Sequence, residues 1–215
     1  MGIYMFKKSV LIEFLKNAKD SDFGHHVIPK CIQKSRVVPY FFEGYWEDIG
    51  TLKAFHQAHM DLLGDNPKFK FWDPIFPIYT NPRFLPPAHV RDSTIDNTIL
   101  GDGISVVGAT LKNCVVGVRS KIRSNTQMEN TLMLGTDWYD STAIRSKAHK
   151  IPLGIGSGSV IKDAIIDKNV RIGKNVKIIN EKKLKNFVAK DESYVISDNI
   201  TVIPKGTVIP DNTVI

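Results

Sequence analysis

The feature that most restricts how this chain can fold is a six-residue spacing of aliphatic side chains in its C-terminal part. Val116, Ile122, Met128 and Leu134 form one run; Ile166, Ile172 and Ile178 a second; Ile203, Ile209 and Ile215 a third. Leu100 and Val106 fit an earlier turn. Gly, Asn or Asp often follows within three places, as in Ile172-Gly173-Lys174-Asn175 and Ile209-Pro210-Asp211-Asn212. Antiparallel strands would give a period of two with no recurring sixth place. A hexad repeat instead specifies a parallel β-helix, in which each aliphatic residue points inward and stacks on its counterpart in the next coil. Gly and Asn suit the corners because they tolerate left-handed backbone conformations. The repeat lapses at 137–151 and at 181–191, which read as loops extruded from the coil.

The first part has another pattern. Residues 1–65 read as α/β, with strand candidates at Ile3–Phe6 and Val37–Phe42. Helical spacing runs from Lys8 to Ala18, through Val10, Leu11, Phe14 and Leu15. A second helix is expected over Asp22–Ile32, with Val27, Ile28 and Ile32 on one face. Thr51 is the expected N-cap of a further helix. Residues 66–89 hold Pro67, Pro74, Pro77, Pro82, Pro86 and Pro87, which rule out a regular helix or central strand. This segment reads as an extended linker whose aromatics (Phe69, Phe71, Trp72, Phe76, Tyr79, Phe84) pack it onto neighbouring structure. The expected organisation is therefore 1–65, a linker at 66–89, and a β-helix at 90–215.

Composition narrows the function. No apolar run reaches the ~20 residues of a membrane span, and the N-terminus lacks the pattern of a signal peptide. Cys31 and Cys114 stand far apart without metal-ligand spacing, which argues against a disulfide scaffold or zinc site. The net charge is +7, but the Lys and Arg residues are scattered. This favours attraction of small phosphorylated anions over nucleic-acid binding. None of the six histidines forms a metal-ligand motif; His56 and His59, three apart on a helix, read as surface or partly packed.

Several strings then resemble one family in order and spacing along the whole chain. They are Met1-Gly2-Ile3-Tyr4, Asp22-Phe23-Gly24 with Ile28-Pro29, Tyr45-Trp46-Glu47-Asp48-Ile49-Gly50-Thr51, Pro82-Arg83-Phe84-Leu85-Pro86-Pro87, Met133-Leu134-Gly135-Thr136-Asp137 and Ile165-Ile166-Asp167-Lys168-Asn169. They resemble the glucose-1-phosphate adenylyltransferases of plants and cyanobacteria, which make ADP-glucose and pyrophosphate from ATP and glucose 1-phosphate. The resemblance implies an α/β remnant of a nucleotidyltransferase domain followed by a left-handed parallel β-helix. It also implies that the chain corresponds to the C-terminal portion of such an enzyme. The family's Gly-rich nucleotide loop, an upstream metal-binding aspartate and the sugar-phosphate lysine have no counterpart here, so no catalytic residue is assigned and the chain alone is expected to be inactive.

By the same resemblance, Asp48 is a Mg²⁺ ligand; read from its own surroundings, it stabilises the turn ahead of Thr51. Lys168 and Lys205 match lysines that bind a phosphorylated effector such as 3-phosphoglycerate, and Arg83 is a candidate for the same region. Ser197-Asp198-Asn199 stands where the family has Arg-Ser-Gly, exchanging an arginine for an acid, and would weaken an anion site. The implied partners are other adenylyltransferase subunits in a heterotetramer, with neither nucleic acid nor membrane. The implied compartment is the plastid, or a bacterial cytoplasm. Two alternatives stand beside this. One is a non-catalytic β-helix assembly module. The other is a hexapeptide acyltransferase, which needs a histidine base; within 90–215 the only histidine is His149.

Overall fold

The computed structural model describes residues 2–16, 22–71, 73–140 and 150–215. Trp72 and His149, both singled out above, lie outside them, as does most of the expected loop at 137–151. The chain divides into two compact units, Met1–Gly44 and Tyr45–Ile215.

The first unit contains α1 (Lys8–Leu15), a π-helical turn (Phe23–Val27) and α2 (Ile28–Lys34). Asp22 caps the π-turn, its carboxylate accepting from the His25 backbone N–H at 2.7 Å. Val27 and Cys31 are buried, whereas Ile32, expected on the same face, is 61% exposed. Within α2 the buried position is thus Cys31 rather than Ile32. Neither expected strand forms: Ile3–Phe6 and Val37–Phe42 carry no ladder, and every described strand lies at or beyond His89. β-prone residues make a strand only when a neighbour pairs with them, and no neighbour does so here.

The second unit begins with α3 (Leu52–Met60), capped as expected: the Thr51 hydroxyl accepts from the Ala54 N–H at 3.1 Å. Phe55 and Met60 of α3 pack on an outer apolar patch formed by Leu132, Ile165 and Ile200. This helix, grouped with residues 1–65 by sequence, thus packs on the β-helix. Among its described residues the proline-rich linker has no helix, and no strand before His89, where β1 begins. Its aromatics do not bury themselves as expected: Phe76, Tyr79 and Phe84 are mostly exposed, and Phe69 and Phe71 pack edge-on against each other.

The β-helix follows. Five parallel strands form the backbone of one sheet: β4 (Ser105–Val107), β6 (Lys121–Ile122), β8 (Gly154–Ile155), β10 (Arg171–Ile172) and β15 (Val208–Ile209). β1 (His89–Arg91) adds to its edge. The other two sides share a sheet built on β5 (Thr110–Val116), β7 (Gln127–Met133), β9 (Val160–Ile166) and β14 (Ile200–Ile203). β2 (Thr94–Asp96), β3 (Ile99–Leu100) and β11 (Lys177–Ile178) pair with it. Parallel register stacks the interior in three columns: Val106, Ile122, Ile155, Ile172 and Ile209; Leu111, Met128, Ile161 and Ile178; Val116, Met133, Ile166 and Ile203. All of these side chains are 2% exposed or less.

Leu134 is the exception among the predicted inward residues. It is half-buried on the outer patch, and Met133 takes its place, paired with Val116 and Ile166. Sides of six residues predominate, as from Val116 to Ile122 to Met128, but the side that ends on the third column spans five, as from Leu111 to Val116, Met128 to Met133 and Ile161 to Ile166, and Val106 to Leu111 spans five as well. The short side bends at one left-handed residue inside a continuous ladder, namely Asn113, Asn130 or Asp163. These corner side chains form a ladder of their own: Asn97 donates to Asn113 (2.7 Å), Asn113 to Asn130 (3.3 Å) and Asn130 to Asp163 (3.1 Å).

The second lapse in the repeat is not a simple loop. Residues 181–191 include β12 (Asn186–Val188), which pairs antiparallel with β13 (Val195–Ser197), itself antiparallel to β14. Both cysteines are free and buried, and burial pushes the Cys114 thiol up to about 11.

The register makes a direct prediction. Met133→Ala should cost about 2–5 kcal/mol in chemical denaturation, as for a buried core side chain, and Leu134→Ala clearly less. A larger loss at Leu134 would place that residue, not Met133, in the inward column.

Candidate functional site

One corner of the prism gathers charge. Its backbone is a stack of hydrogen bonds: Thr136 N–H to Val118 C=O (2.9 Å), Asn169 N–H to Gly135 C=O (3.1 Å) and Gly206 N–H to Lys168 C=O (2.9 Å). Arg119, Asn169 and Gly206 turn here with positive φ. Gly135 has φ +88°, and a Cβ on it would collide with the Val118 carbonyl, so only glycine lets the two coils approach so closely. Because Ile166 pairs with Ile203, Lys168 and Lys205 leave the corner on adjacent coils.

Both lysines reach the same carboxylate. Lys168 Nζ lies 3.0 Å from Asp137 Oδ1, and Lys205 Nζ lies 3.5 Å from Oδ2. Asn169 fixes that carboxylate reciprocally: its Nδ2 donates to Asp137 Oδ2 at 2.9 Å, and its Oδ1 accepts from the Asp137 N–H at 2.8 Å. Asn169 is itself buried. The Asn169 amide, then the Lys168 ammonium, then the charges of Lys168 and Lys205 hold the Asp137 carboxyl at about 2, against an ordinary 3.8, with burial opposing. Lys205 is 60% and Lys168 41% exposed, so both ammonium groups remain open to solvent.

The structure therefore brings together two of the sequence-predicted residues and adds one that sequence reasoning missed. Asp137 was visible only as the end of the Met133–Asp137 string; nothing in the spacing connects it to residues 168 and 205, which are neighbours only through coil stacking. Arg83 is exposed, and the Asp137 carboxylate that both lysines reach is paired with Lys168 and Lys205. Asp198 and Asn199 are also elsewhere: they line a cleft of about 430 Å³ beside Lys53 and His56 of α3. The acid that meets the lysines is Asp137.

A second ion pair braces the segment that follows. Arg171 grips Asp140 bidentately, with both contacts at 2.8 Å, and donates to the Ile151 carbonyl at 2.9 Å; Asp140 Oδ2 accepts from the Leu153 N–H at 2.8 Å. The two side chains are 5% and 8% exposed. Arg119 and Lys121 lie about 6 Å from the Tyr139 ring, within cation–π range.

Asp48 is exposed, and its Oδ1 accepts from the Gly50 N–H at 3.2 Å, the turn-stabilising arrangement. Mg²⁺ needs near-octahedral oxygen coordination. No cluster of three or more His, Cys, Asp or Glu side chains able to hold a metal exists among the described residues; Asp48 offers one such oxygen. His56 is buried, with Nε2 2.8 Å from the Asn130 carbonyl, and His59 Nδ1 is 2.8 Å from the Phe55 carbonyl. Among the described residues, no helix is long and apolar enough to cross a membrane.

Comparison with known protein families identifies both parts of the chain. Residues 1–65 match the nucleotidyl transferase family, and residues 83–214 match the GLGC left-handed parallel β-helix domain. Fold and matches together define a nucleotidyltransferase carrying a left-handed parallel β-helix. The β-helix match covers more than half of the chain, which belongs to the glucose-1-phosphate adenylyltransferase-like family.

Two expectations follow from the ion pairs. A carboxyl whose folded pKa is depressed stabilises the fold above its unfolded value and loses that contribution as pH falls through the folded one. The stability advantage of the native protein over Asp137→Asn should thus be full above about pH 4 and fade towards pH 2 in denaturation curves; an advantage unchanged at pH 2 would contradict the ion-pair assignment. Arg171→Met should lower stability by about 3 kcal/mol, because it strips the guanidinium from a buried carboxylate. Arg171→Met with Asp140→Leu should recover most of the loss, as read by thermal unfolding.

Proposed function

We propose that this chain acts in a glucose-1-phosphate adenylyltransferase of the plant or cyanobacterial type, supplying regulation and assembly rather than the catalytic centre. The reaction joins ATP to glucose 1-phosphate, giving ADP-glucose, the donor for starch or glycogen, and pyrophosphate. The observation that carries the reading is the convergence of Lys168 and Lys205, from adjacent coils, on one corner open to solvent. Two ammonium groups on a rigid support form an electrostatic seat for a phosphorylated effector such as 3-phosphoglycerate. Arg83 contributes when linker and corner approach in the assembled enzyme. On this reading the chain works beside other adenylyltransferase subunits in a heterotetramer, in a plastid or a bacterial cytoplasm. The Mg²⁺ of adenylyl transfer belongs with that assembled centre, where Asp48 supplies one oxygen.

Two measurements test this. The chain alone, given ATP, glucose 1-phosphate and Mg²⁺, should form no ADP-glucose; turnover would overturn the non-catalytic assignment. Titration with 3-phosphoglycerate in a calorimeter should give binding that falls about tenfold or more in Lys168→Gln and Lys205→Gln, the size expected for one charge-assisted hydrogen bond. Unchanged binding would remove the effector role.

A further inference from the structure

Away from the lysine corner, α3 and the β-helix enclose a cleft of about 430 Å³, within the roughly 300–1,000 Å³ of small-molecule sites. Both walls are fixed. One is the face of α3 that carries Lys53, His56, Gln57 and Met60, at the spacing that sets side chains side by side on a helix. Phe55 and Met60 pack this helix on the outer apolar patch, and His56 Nε2 meets the Asn130 carbonyl at 2.8 Å, tying one wall to the other. The facing wall is built from left-handed residues: Asn130 and Asp163 on stacked coils, then Asp198 and Asn199. The last two form the turn between β13 and β14, where Ser197 pairs with Ile200. Both have positive φ, as a tight hairpin turn of this length requires.

The lining is polar where most ligand pockets are apolar. Only Met60 and Ile200 are hydrophobic, and several hydrogen-bonding groups are unspent. Asp163 takes the Asn130 amide on Oδ1 at 3.1 Å, which leaves Oδ2. Gln57 commits Nε2 to Asp61 and keeps its carbonyl oxygen. Among the described residues, no hydrogen bond or ion pair engages the side chains of Lys53, Asp198 or Asn199. Open acceptors thus outnumber open donors, and a single ammonium stands opposite them. An anionic ligand would set its charge against Asp163 and Asp198, and an organic cation would meet Lys53. A hydroxyl both donates and accepts, so a ligand rich in hydroxyls answers the whole wall without either repulsion.

We propose that this cleft binds a neutral, polyhydroxylated ligand, namely a non-phosphorylated saccharide. Its hydroxyls donate to the oxygens of Asp163, Asp198 and Gln57 and accept from Lys53 and the Asn199 amide. The C–H face of a sugar ring lies against Met60 and Ile200. The site differs from the lysine corner in place and in charge, and it does not depend on that corner binding an anion.

Nuclear magnetic resonance titration of the whole isotope-labelled chain tests this, with maltotriose as the probe and glucose 1-phosphate as the charged comparison. Maltotriose should give saturable shifts centred on the backbone amides of Lys53, Gln57, Asp198 and Asn199. Asp198→Asn keeps a residue that suits the turn and removes the charge; it should weaken maltotriose binding about tenfold or more, as for a lost hydrogen bond to a charged group. Asn199→Gly keeps the left-handed backbone and removes the side-chain amide; it should weaken binding severalfold. Absence of saturable shifts at these amides in the native chain overturns the inference whether or not either variant folds. Unchanged affinity in both folded variants overturns it as well, because the sugar would then sit elsewhere. Tighter binding of glucose 1-phosphate than of maltotriose at the same amides would make the ligand an anion led by Lys53 and would overturn the neutral class.

Discussion

Parallel register between coils is the constraint from which the rest of this structure descends. Each inward aliphatic residue is buried only because the coils above and below place a similar side chain in the same column. Burial of a Leu- or Ile-sized side chain contributes about 1.5–3 kcal/mol, and the three columns hold such side chains at nearly every position. A slip of one residue along any ladder would turn the columns outward. The corners inherit their geometry from this register: the asparagine ladder, the close approach at Gly135, and the stacking of Lys168 on the coil below Lys205 all follow from which aliphatic residue faces which.

The same register explains what was legible in advance. Six-residue spacing exposed the β-helix because inward positions must be apolar and corners must tolerate left-handed backbone. It could not reveal that the side ending on the third column is a residue shorter, because Met133 and Leu134 are both apolar and either satisfies the pattern. Only the ladder to Val116 and Ile166 decides between them. Ile3–Phe6 and Val37–Phe42 fail for the opposite reason, since local β-propensity names no partner strand. Helix α3 was readable through its Thr51 cap, but its docking on Leu132, Ile165 and Ile200 was not, because the face that receives it is assembled from three coils.

The charged corner divides in the same way. Lys168 and Lys205 were found through resemblance, and their convergence needed the stacked coils. Asp137 was missed because the relation that gives it meaning, a carboxylate fixed by Asn169 one coil away, leaves no trace in linear spacing. At Asp48 the turn read from its own surroundings is present, its Oδ1 accepting from the Gly50 N–H.

The antiparallel hairpin of β12 and β13 has a consequence for how far such a coil can grow. A parallel β-helix offers at each end a row of unpaired backbone groups of the same polarity, onto which another coil can add without limit. Strand β13 occupies the free side of β14 while running the other way, so no further coil can pair there in the native sense. The edge passed outward to β12 is only three residues long and lies in a segment carrying Lys182, Lys183, Lys185 and Lys190. Reversed polarity, brevity and positive charge together act as a terminator, preventing on that face the end-to-end growth of filaments to which repetitive parallel stacks are prone.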